Sequence, residues 1–244
     1  MHEDCYHKMY LNEEHHWWFK SKADIVKELS NFYIGGIDNK KILDAGCGTS
    51  FLSKNISNAI NNIYNVDNCP ISLDYSRKRG MPNVINADLN SLPFADGVFD
   101  VGICMDVIEH NQDDQRLVDE LARVIKKDGV LIAAVPAMRS LWGPQDKKLG
   151  HYRRYGKDEF KKLFEKDFTP LKISYFNFLL FLPMFLLRKI FNVFPNILKE
   201  RDELDINNKF LNNFLYKIFS FEASLLKHVN FPVGVSLIAV ARKK

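Results

Sequence analysis

The sequence predicts an α/β fold in which an open, doubly wound and mostly parallel sheet is covered by helices on both faces. Short apolar runs alternate along the chain with segments that have the apolar spacing of an amphipathic helix. A glycine turn joins the first of these runs to a helix, and an acidic residue follows each of four runs. Sheets of this kind bind ligands beyond the carboxyl ends of their strands, so the acidic positions predict a ligand site at that edge.

Length, charge and cysteine usage narrow the class of protein. A chain of 244 residues favours one domain with a sizeable insertion over two equal domains. Its net charge of +4 is too small to indicate a nucleic-acid partner without a concentrated basic patch. The four cysteines have no Cys-x-x-Cys spacing, which predicts free thiols in a reducing compartment. Met1 is not followed by a basic and then an apolar segment, so we expect no secretory signal and a cytoplasmic protein.

Residues 1–36 are predicted to form a helical lid, and they are rich in histidine and aromatic residues. His15 and His16 are adjacent, and adjacent side chains on a helix point about 100° apart. We therefore predict no metal site there, and none elsewhere in the chain. Two interpretations of Trp17 and Trp18 stay open: they pack a leading helix onto the domain, or they cover a ligand pocket.

A strand, a turn and a helix are predicted in close succession after this lid. Residues 41–44 have the character of a buried strand end, 45–50 contain the glycine turn, and 51–56 begin a helix. Gly46 and Gly48 lack a Cβ atom, so the backbone can turn sharply and approach a ligand closely. The free N–H groups of the following helix point at whatever occupies the turn. This geometry suits a nucleotide-like cofactor.

The remaining elements follow from buried runs and helical spacing. Buried runs predict strands at 63–66, 83–87, 99–105, 130–135, 171–176 and 235–241. Apolar residues at helical spacing predict helices at 21–32, 71–79, 113–125 and 157–168. For this order of elements, the right-handed crossover rule leaves a doubly wound sheet as the leading topology.

Acidic residues mark the carboxyl ends of four predicted strands, at Asp44, Asp67, Asp88 and Asp106. Asp67 follows Gly46 at the spacing at which an acid accepts hydrogen bonds from ribose hydroxyls. Each acid alone is more often a loop or cap residue. Four successive acidic strand ends together indicate a shared ligand site.

Three successive motifs carry a resemblance to a known family: DAGCGTS, NVDNCPISLDYSRKRG and NADLNSLPFADGVFDVGICMDVIEH. They resemble the class I S-adenosylmethionine-dependent methyltransferases, and the resemblance runs from about residue 15 to about residue 175. It implies a seven-stranded, Rossmann-like sheet whose last strand is antiparallel, and S-adenosyl-L-methionine as the cofactor. Many members have a third glycine where this chain has Ser50. A nicotinamide enzyme would need close approach there for its pyrophosphate, whereas adenosylmethionine has no phosphate, so the departure argues against a dehydrogenase.

The resemblance also implies roles for individual residues. It places Gly46 and Gly48 at the methionine end of the cofactor and Asp67 at the ribose. It places Asp88 and Leu89 at the adenine. The complete set of predicted cofactor-binding residues is Asp44, Gly46, Gly48, Asp67, Asn68, Asp88, Leu89 and Asp106.

The acceptor side is predicted from HHWWF and HYRRYGKDEF, which resemble family members that act on small molecules or on glycan and lipid intermediates of the cell surface. The predicted acceptor-binding residues are Trp17, Trp18, Arg153, Arg154 and Tyr155. His110 and His151 are the catalytic candidates, because imidazole titrates near neutral pH. A structural role stays open for each histidine. His110 could serve only as a hydrogen-bond donor to Glu109 or to a backbone carbonyl, and His151 could bind an anionic acceptor together with the arginines. We favour anion binding for the arginines and leave the general base open.

An insertion, 177–234, separates the last two strands of a core predicted at 37–176 and 235–244, and it holds ten of the nineteen phenylalanines. Its apolar run 178–187, closed by Arg188-Lys189, is shorter than the roughly 20 residues that a membrane-spanning helix needs. Two interpretations stay open. The insertion is a helical cap on the core, or it is a lid whose apolar side faces a lipid-like acceptor or a membrane interface.

These observations predict an S-adenosylmethionine-dependent methyltransferase that acts on a small or lipid-linked acceptor, with oxygen as the favoured methylated atom. The alternative is a non-catalytic module that binds adenosylmethionine as a sensor or partner platform. An RNA methyltransferase is disfavoured, because the insertion carries seven basic and five acidic residues. We expect a peripheral membrane contact and no nucleic-acid partner. The identity of the acceptor and the oligomeric state do not follow from the sequence.

Overall fold

A seven-stranded sheet forms the centre of the computed structural model, which describes residues 3–186 and 208–244. The strands are β1 Ile42–Ala45, β2 Ile63–Asp67, β3 Asn83–Asn86, β4 Phe99–Met105, β5 Ile125–Pro136, β6 Phe168–Phe176 and β7 Ser236–Lys243. Their order is β3-β2-β1-β4-β5-β7-β6, in which β7 is antiparallel to both neighbours and the other pairs are parallel. The predicted doubly wound sheet with an antiparallel last strand is confirmed.

Helices cover both faces of this sheet. They are α1 Glu3–Asn12, α2 Trp17–Ile34, α3 Phe51–Ile56, α4 Pro70–Lys78, α5 Asp114–Val124, α6 Pro144–Leu149, α7 Lys157–Lys162, α8, described over 181–186, and α9 Lys209–Leu226. α2 begins earlier than predicted because the ring of His16 accepts a hydrogen bond from the amide of Trp18, at 3.2 Å, and caps the helix. α7 ends at Lys162 rather than at 168 because β6 begins to pair with β7 at Phe168.

Two apolar cores flank the sheet, one on each face. Successive side chains of β1 point to opposite faces, so Leu43 joins one core with α5 and Ile42 joins the other with α2. The strands are apolar on both faces, as expected for a sheet covered by helices on both sides. Burying one such Leu or Ile side chain stabilises the fold by about 1.5–3 kcal/mol. The four cysteines are free and Cys47 and Cys104 are buried, which confirms the predicted thiols.

α9 packs along α2 on one face of the sheet. Its inner side contributes Phe219 to the core, where the ring centroid lies 4.9 Å from that of Trp17. The hydroxyl of Tyr216 donates to the carboxylate of Asp24 in α2 at 2.7 Å. This part of the insertion therefore caps the core with its inner side.

The outer side of α9 leaves aromatic side chains in contact with solvent. Phe210, Phe214 and Phe221 are 82%, 54% and 60% exposed. Leu187 and the pair Arg188-Lys189, which close the predicted apolar run, lie outside the described residues. Across 3–186 and 208–244, no helix combines the length and the apolar character needed to cross a bilayer.

Candidate active site

The turn after β1 contains two glycines with left-handed backbone conformations. Gly46 has φ +76°, and a Cβ atom there would lie 2.4 Å from Cγ2 of Val107. Gly48 has φ +54°, but a Cβ atom there would meet only Cε of Met9, at 3.8 Å. The amide of Gly46 donates to the carbonyl of Val66 in β2, at 2.8 Å. The turn is therefore closed against the protein at Gly46 and open to a ligand at Gly48.

Asp67 joins this turn to the end of β2. Its Oδ2 accepts a hydrogen bond from the amide of Gly48 at 3.0 Å, and its Oδ1 accepts one from the amide of Cys69 at 2.9 Å. The side chain is buried, and burial raises its pKa. Each carboxylate oxygen keeps a second lone pair. Asp67 can therefore hold the turn and still accept from a pair of ligand hydroxyls.

Asp44, at the end of β1, is the most deeply buried acid of the predicted cofactor set. The hydroxyl of Ser53 in α3 donates to its Oδ2 at 2.5 Å. Burial is the main cause that raises the pKa of Asp44 to about 6, and the nearby charge of Asp67 raises it further. This acid is therefore only partly ionised near pH 6.

A single cavity of about 1460 Å³ connects most of the predicted site residues. All eight predicted cofactor residues line it, namely Asp44, Gly46, Gly48, Asp67, Asn68, Asp88, Leu89 and Asp106. The two predicted catalytic histidines and three predicted acceptor residues also line it, namely His110, His151, Trp17, Trp18 and Arg154. The structure thus brings the glycine turn and the imidazoles to one continuous space, which is large enough for a cofactor and an acceptor together.

α1 covers the glycine turn. The sequence predicted a lid over residues 1–36 but did not indicate which of its residues lie over this turn. Met9 lies over Gly48. The helix docks on α4, where the ring centroids of Tyr10 and Tyr75 are 4.4 Å apart. Its end is fixed by a buried ion pair in which Nη2 of Arg79 lies 2.9 Å from Oε2 of Glu13. Residues 3–12 therefore form part of the cavity wall.

Trp17 and Trp18 begin α2 and line the same cavity. The ring of Trp18 stacks on that of Phe176 at the end of β6, with centroids 6.0 Å apart and planes 6° apart. Trp17 is buried against Phe219 of α9. Both rings therefore pack on the domain and at the same time form a wall of the cavity.

Glu109, His110 and His151 form a polar cluster in the cavity wall. Glu109 and His110 belong to the 3₁₀ turn Ile108–His110 after β4, and His151 follows α6. The ring centroids of the two histidines are 4.7 Å apart. Burial lowers the pKa of His110 to about 4, while burial raises the pKa of Glu109 well above its usual range. At neutral pH, His110 is therefore an uncharged imidazole.

His151 is oriented by an acid that the sequence analysis missed. Its Nδ1 lies 2.9 Å from Oδ1 of Asp146 in α6. The same carboxylate accepts from Nε of Arg154 at 2.8 Å, and hydrogen bonds from both partners hold the pKa of Asp146 at about 2 despite its burial. The sequence spacing of Asp146 and His151 gives no indication that their side chains form a hydrogen bond. Glu109 was visible in the sequence as the neighbour of His110, but nothing there indicated its complete burial.

The remaining predicted acceptor residues order the loop after β5. Nη1 of Arg153 donates to Oδ2 of Asp114 at 2.7 Å, and the hydroxyl of Tyr155 donates to the same oxygen at 2.8 Å. Neither side chain lines the cavity. Arg154 lines it, but its guanidinium donates to Asp146 and to the carbonyl of Ala137. Anion binding by these arginines stays a prediction.

The chain is similar in sequence to known methyltransferases. A family model described as "Methyltransferase domain" matches residues 43–133. An uncharacterised protein of Methanocaldococcus jannaschii is 30% identical over 179 residues, which cover 72% of this chain and 73% of that protein. A ubiquinone biosynthesis O-methyltransferase of Actinobacillus pleuropneumoniae is 29% identical over 120 residues, 45% of this chain. The chain spans about half the length of the ubiquinone biosynthesis relatives that it matches.

Solved structures share the fold. The crystal structure of an S-adenosylmethionine-dependent methyltransferase from Thermotoga maritima, described as a possible histamine N-methyltransferase, has a TM-score of 0.58. It covers 100% of both chains at 18% sequence identity. Identity this low speaks for the fold alone.

Proposed function

The chain belongs to the class I S-adenosylmethionine-dependent methyltransferases, and on that premise we propose that it methylates an oxygen of a small acceptor with an apolar, lipid-like part. One observation carries the proposal. The glycine turn with Asp67 and the cluster of Glu109, His110 and His151 line one continuous cavity. A module that only binds the cofactor has no use for a buried carboxylate and two imidazoles beside that cofactor's site.

The residues of the turn fit the cofactor. Adenosylmethionine supplies a methyl group already activated on a sulfonium sulfur. Gly48 leaves open space for close approach of the methionine end, and Asp67 has free lone pairs for the two ribose hydroxyls. Asp88 and Leu89, after β3, are the residues that we assign to the adenine. α1 covers this region.

The polar cluster is the part of the cavity suited to the acceptor's reacting group. A hydroxyl acceptor must lose its proton when its oxygen takes the methyl group, so a group near that oxygen must promote the loss. His110 is a poor base at neutral pH because its pKa is lowered to about 4. His151 is oriented by Asp146. We assign the acceptor's hydroxyl to this cluster, and the related O-methyltransferases of ubiquinone biosynthesis support oxygen as the atom methylated.

Another part of the cavity wall is largely apolar. Trp17, Trp18 and Met184 of α8 line the cavity, and Asn177 joins them. Oδ1 of Asn177 is buried and has no hydrogen-bond partner among residues 3–186 and 208–244. A wall of aromatic rings with one unsatisfied carbonyl suits an acceptor that has an apolar body and a single donor group.

The outer side of α9 supports a peripheral membrane contact. Phe210, Phe214 and Phe221 recur at helical spacing, so they form one stripe, and the exposed Lys217 lies in the same stripe. Aromatic rings with an interspersed lysine are typical of helices that lie at a membrane interface. In flotation with anionic liposomes, the wild type should rise with the liposomes, and a Phe210→Ser, Phe214→Ser variant should stay unbound at the bottom of the gradient. Equal recovery of both proteins would contradict the membrane contact.

Turnover of labelled adenosylmethionine tests the proposed reaction. Lipid extract and water-soluble metabolites are offered separately, and we expect label to enter the lipid extract as an alkali-stable ether. Gly48→Ala is the cofactor-site variant, since its Cβ atom points into open space at the turn. It should stay folded and lose turnover. Tight binding of adenosylmethionine without turnover in either fraction would favour the non-catalytic alternative.

A further inference from the structure

A buried carboxylate and two imidazoles meet in the wall of the cavity. One ligating atom from each of Glu109, His110 and His151 lies within 4.8 Å of the other two. Glu109 is fully buried, and neither of its carboxylate oxygens has a hydrogen-bond partner in the described part of the chain. Nε2 of His151 lies 3.9 Å from Oε1 of Glu109. Because a buried carboxylate without hydrogen bonds is costly, this geometry calls for a ligand that satisfies it.

Hydrogen bonds already orient both histidines. Nδ1 of His151 is held by Asp146 at 2.9 Å, which leaves Nε2 on the side of Glu109. A backbone hydrogen bond holds the ring of His110. The amide of Tyr152 donates to the carbonyl of Glu109 at 2.8 Å, so the two segments that carry the cluster are tied together. Metal-binding histidines commonly have their second nitrogen fixed in this way by a carboxylate or a carbonyl.

Two cations that act on Glu109 electrostatically, Lys22 and Arg154, form ion pairs with other carboxylates in the described part of the chain. Nζ of Lys22 lies 3.0 Å from Oδ2 of Asp106, and Nε of Arg154 lies 2.8 Å from Oδ1 of Asp146. Each of these cations therefore pairs with a different carboxylate. Glu109 has Nε2 of His151 at 3.9 Å, and an ionised Glu109 would make this part of the wall more negative. A bound dication would supply further positive charge beside Glu109.

We propose that Glu109, His110 and His151 bind one divalent transition-metal cation, with coordination positions left open toward the cavity. Two imidazoles and a carboxylate are a donor set that zinc and other first-row cations accept while a substrate takes the open positions. Around a tetrahedral ion, ligand atoms at about 2.1 Å from the metal are about 3.4 Å apart. The three ligand atoms lie at most 4.8 Å apart, with 3.9 Å between Nε2 of His151 and Oε1 of Glu109, so closure is within reach of side-chain rotation.

This assignment differs from the sequence prediction of no metal site. That prediction considered the adjacent pair His15 and His16, whose side chains diverge. In the cluster, the ligands His110 and His151 come from loops that are distant in sequence, and only the fold brings them together.

The cation's part in catalysis rests on the proposed function. An acceptor hydroxyl bound at an open position has a lowered pKa, so it loses its proton to water near neutral pH. Its oxygen then forms a bond to the methyl carbon while the bond from that carbon to sulfur breaks. The electron pair of the broken bond stays on sulfur, which becomes a neutral thioether. The step needs no oxidant or reductant.

Metal binding by the whole, untagged chain tests the site. After treatment with a chelator and its removal, Zn²⁺ and Mn²⁺ are titrated separately by calorimetry, and Co²⁺ absorption reports the ligands. We expect one equivalent to bind, and Glu109→Gln and His151→Gln each to weaken binding at least about 10-fold. His228→Gln is the matched control, because His228 is exposed after α9 and does not line the cavity. It should bind the cation as the wild type does.

Two further measurements keep the outcomes separate. Glu109→Gln should bind adenosylmethionine as the wild type does, which would show that it is folded with an intact cofactor end. If Glu109→Gln does not fold, His151→Gln decides the question. Binding of unchanged strength in both cluster variants, or no stoichiometric binding by the wild type, overturns the cation site. Failure of the wild type to bind adenosylmethionine would instead overturn the proposed function and leave the cation site standing.

Discussion

Replacing Gly46 by alanine should destabilise the fold through one identifiable contact. Gly46 has φ +76°, a conformation that costs an L-residue about 1–2 kcal/mol. The new Cβ atom would also lie 2.4 and 2.8 Å from the two Cγ atoms of Val107, well inside the ordinary contact distance of about 3.5–4.0 Å. Moving Val107 away should cost a further 1–3 kcal/mol or so. The expected loss of unfolding free energy is therefore about 2–5 kcal/mol.

Gly35→Ala is the matched control for this substitution. Gly35 ends α2 with φ +66°, and a Cβ atom there would have no heavy atom within 4 Å. It should lose only the backbone cost of about 1–2 kcal/mol. Urea unfolding followed by circular dichroism measures both variants.

A double-mutant cycle isolates the contact itself. Val107→Ala removes both Cγ atoms, so Gly46→Ala should cost less in that background than in the wild type, by about 1–3 kcal/mol. Equal costs for Gly46→Ala and Gly35→Ala, or no relief from Val107→Ala, would refute the steric argument.

Three further predictions concern other parts of the wall. The pKa of Asp44 is raised from 3.8 to about 6, so between these pH values the folded chain holds a proton that the unfolded chain has lost. The free energy of unfolding should therefore fall by up to about 3 kcal/mol as the pH rises from about 4 to about 6. Asp44→Asn should flatten this pH dependence in urea unfolding, and an unchanged slope would contradict the shift. Arg79→Met should lower the free energy of unfolding by about 3–5 kcal/mol, because it leaves the buried carboxylate of Glu13 without its ion-pair partner. Arg77→Met breaks an exposed ion pair and should lower it by less than about 1 kcal/mol. Similar melting temperatures for the two variants would contradict a stabilising role of the buried pair. Adenosylmethionine should slow hydrogen exchange in residues 3–20, and exchange that is equal with and without cofactor would leave Trp17 and its neighbours as packing residues only.

Much of the fold followed from the sequence because the signals are local. The strand 99–105 was predicted with the bounds that β4 has, since it is an apolar run, interrupted by Asp100, that ends before Asp106. The helix predicted to begin at residue 51 does begin there, because the glycine turn fixes its start, and it already ends at Ile56. The end of α7 was wrong by six residues, since the residues beyond Lys162 have helical spacing but β6 starts at Phe168, where it pairs with β7.

The cofactor end of the site could also be predicted. Asp44, Asp67, Asp88 and Asp106 lie within two residues of the ends of strands, and parallel strands bring their carboxyl ends to one edge of a sheet. The sequence therefore placed these residues together without any distance being known. The glycine turn added the direction from which a ligand approaches.

The acceptor end depended on the tertiary structure. His110 and His151 were candidates from the sequence, but their neighbours Glu109 and Asp146 gained meaning only through burial and distance. Burial decides whether an acid is a solvated surface group or an unsatisfied carboxylate, and it depends on segments that are remote in the chain. The sequence by itself determined which segments form strands and where the cofactor edge lies, because periodicity and strand ends are local properties, whereas the order of the strands came from the structure. Only the tertiary structure decided the rest, because the loops after β4 and β5 come together in the fold. Their contact determines which polar groups are fully buried, which imidazole an acid orients and which arginines are already paired.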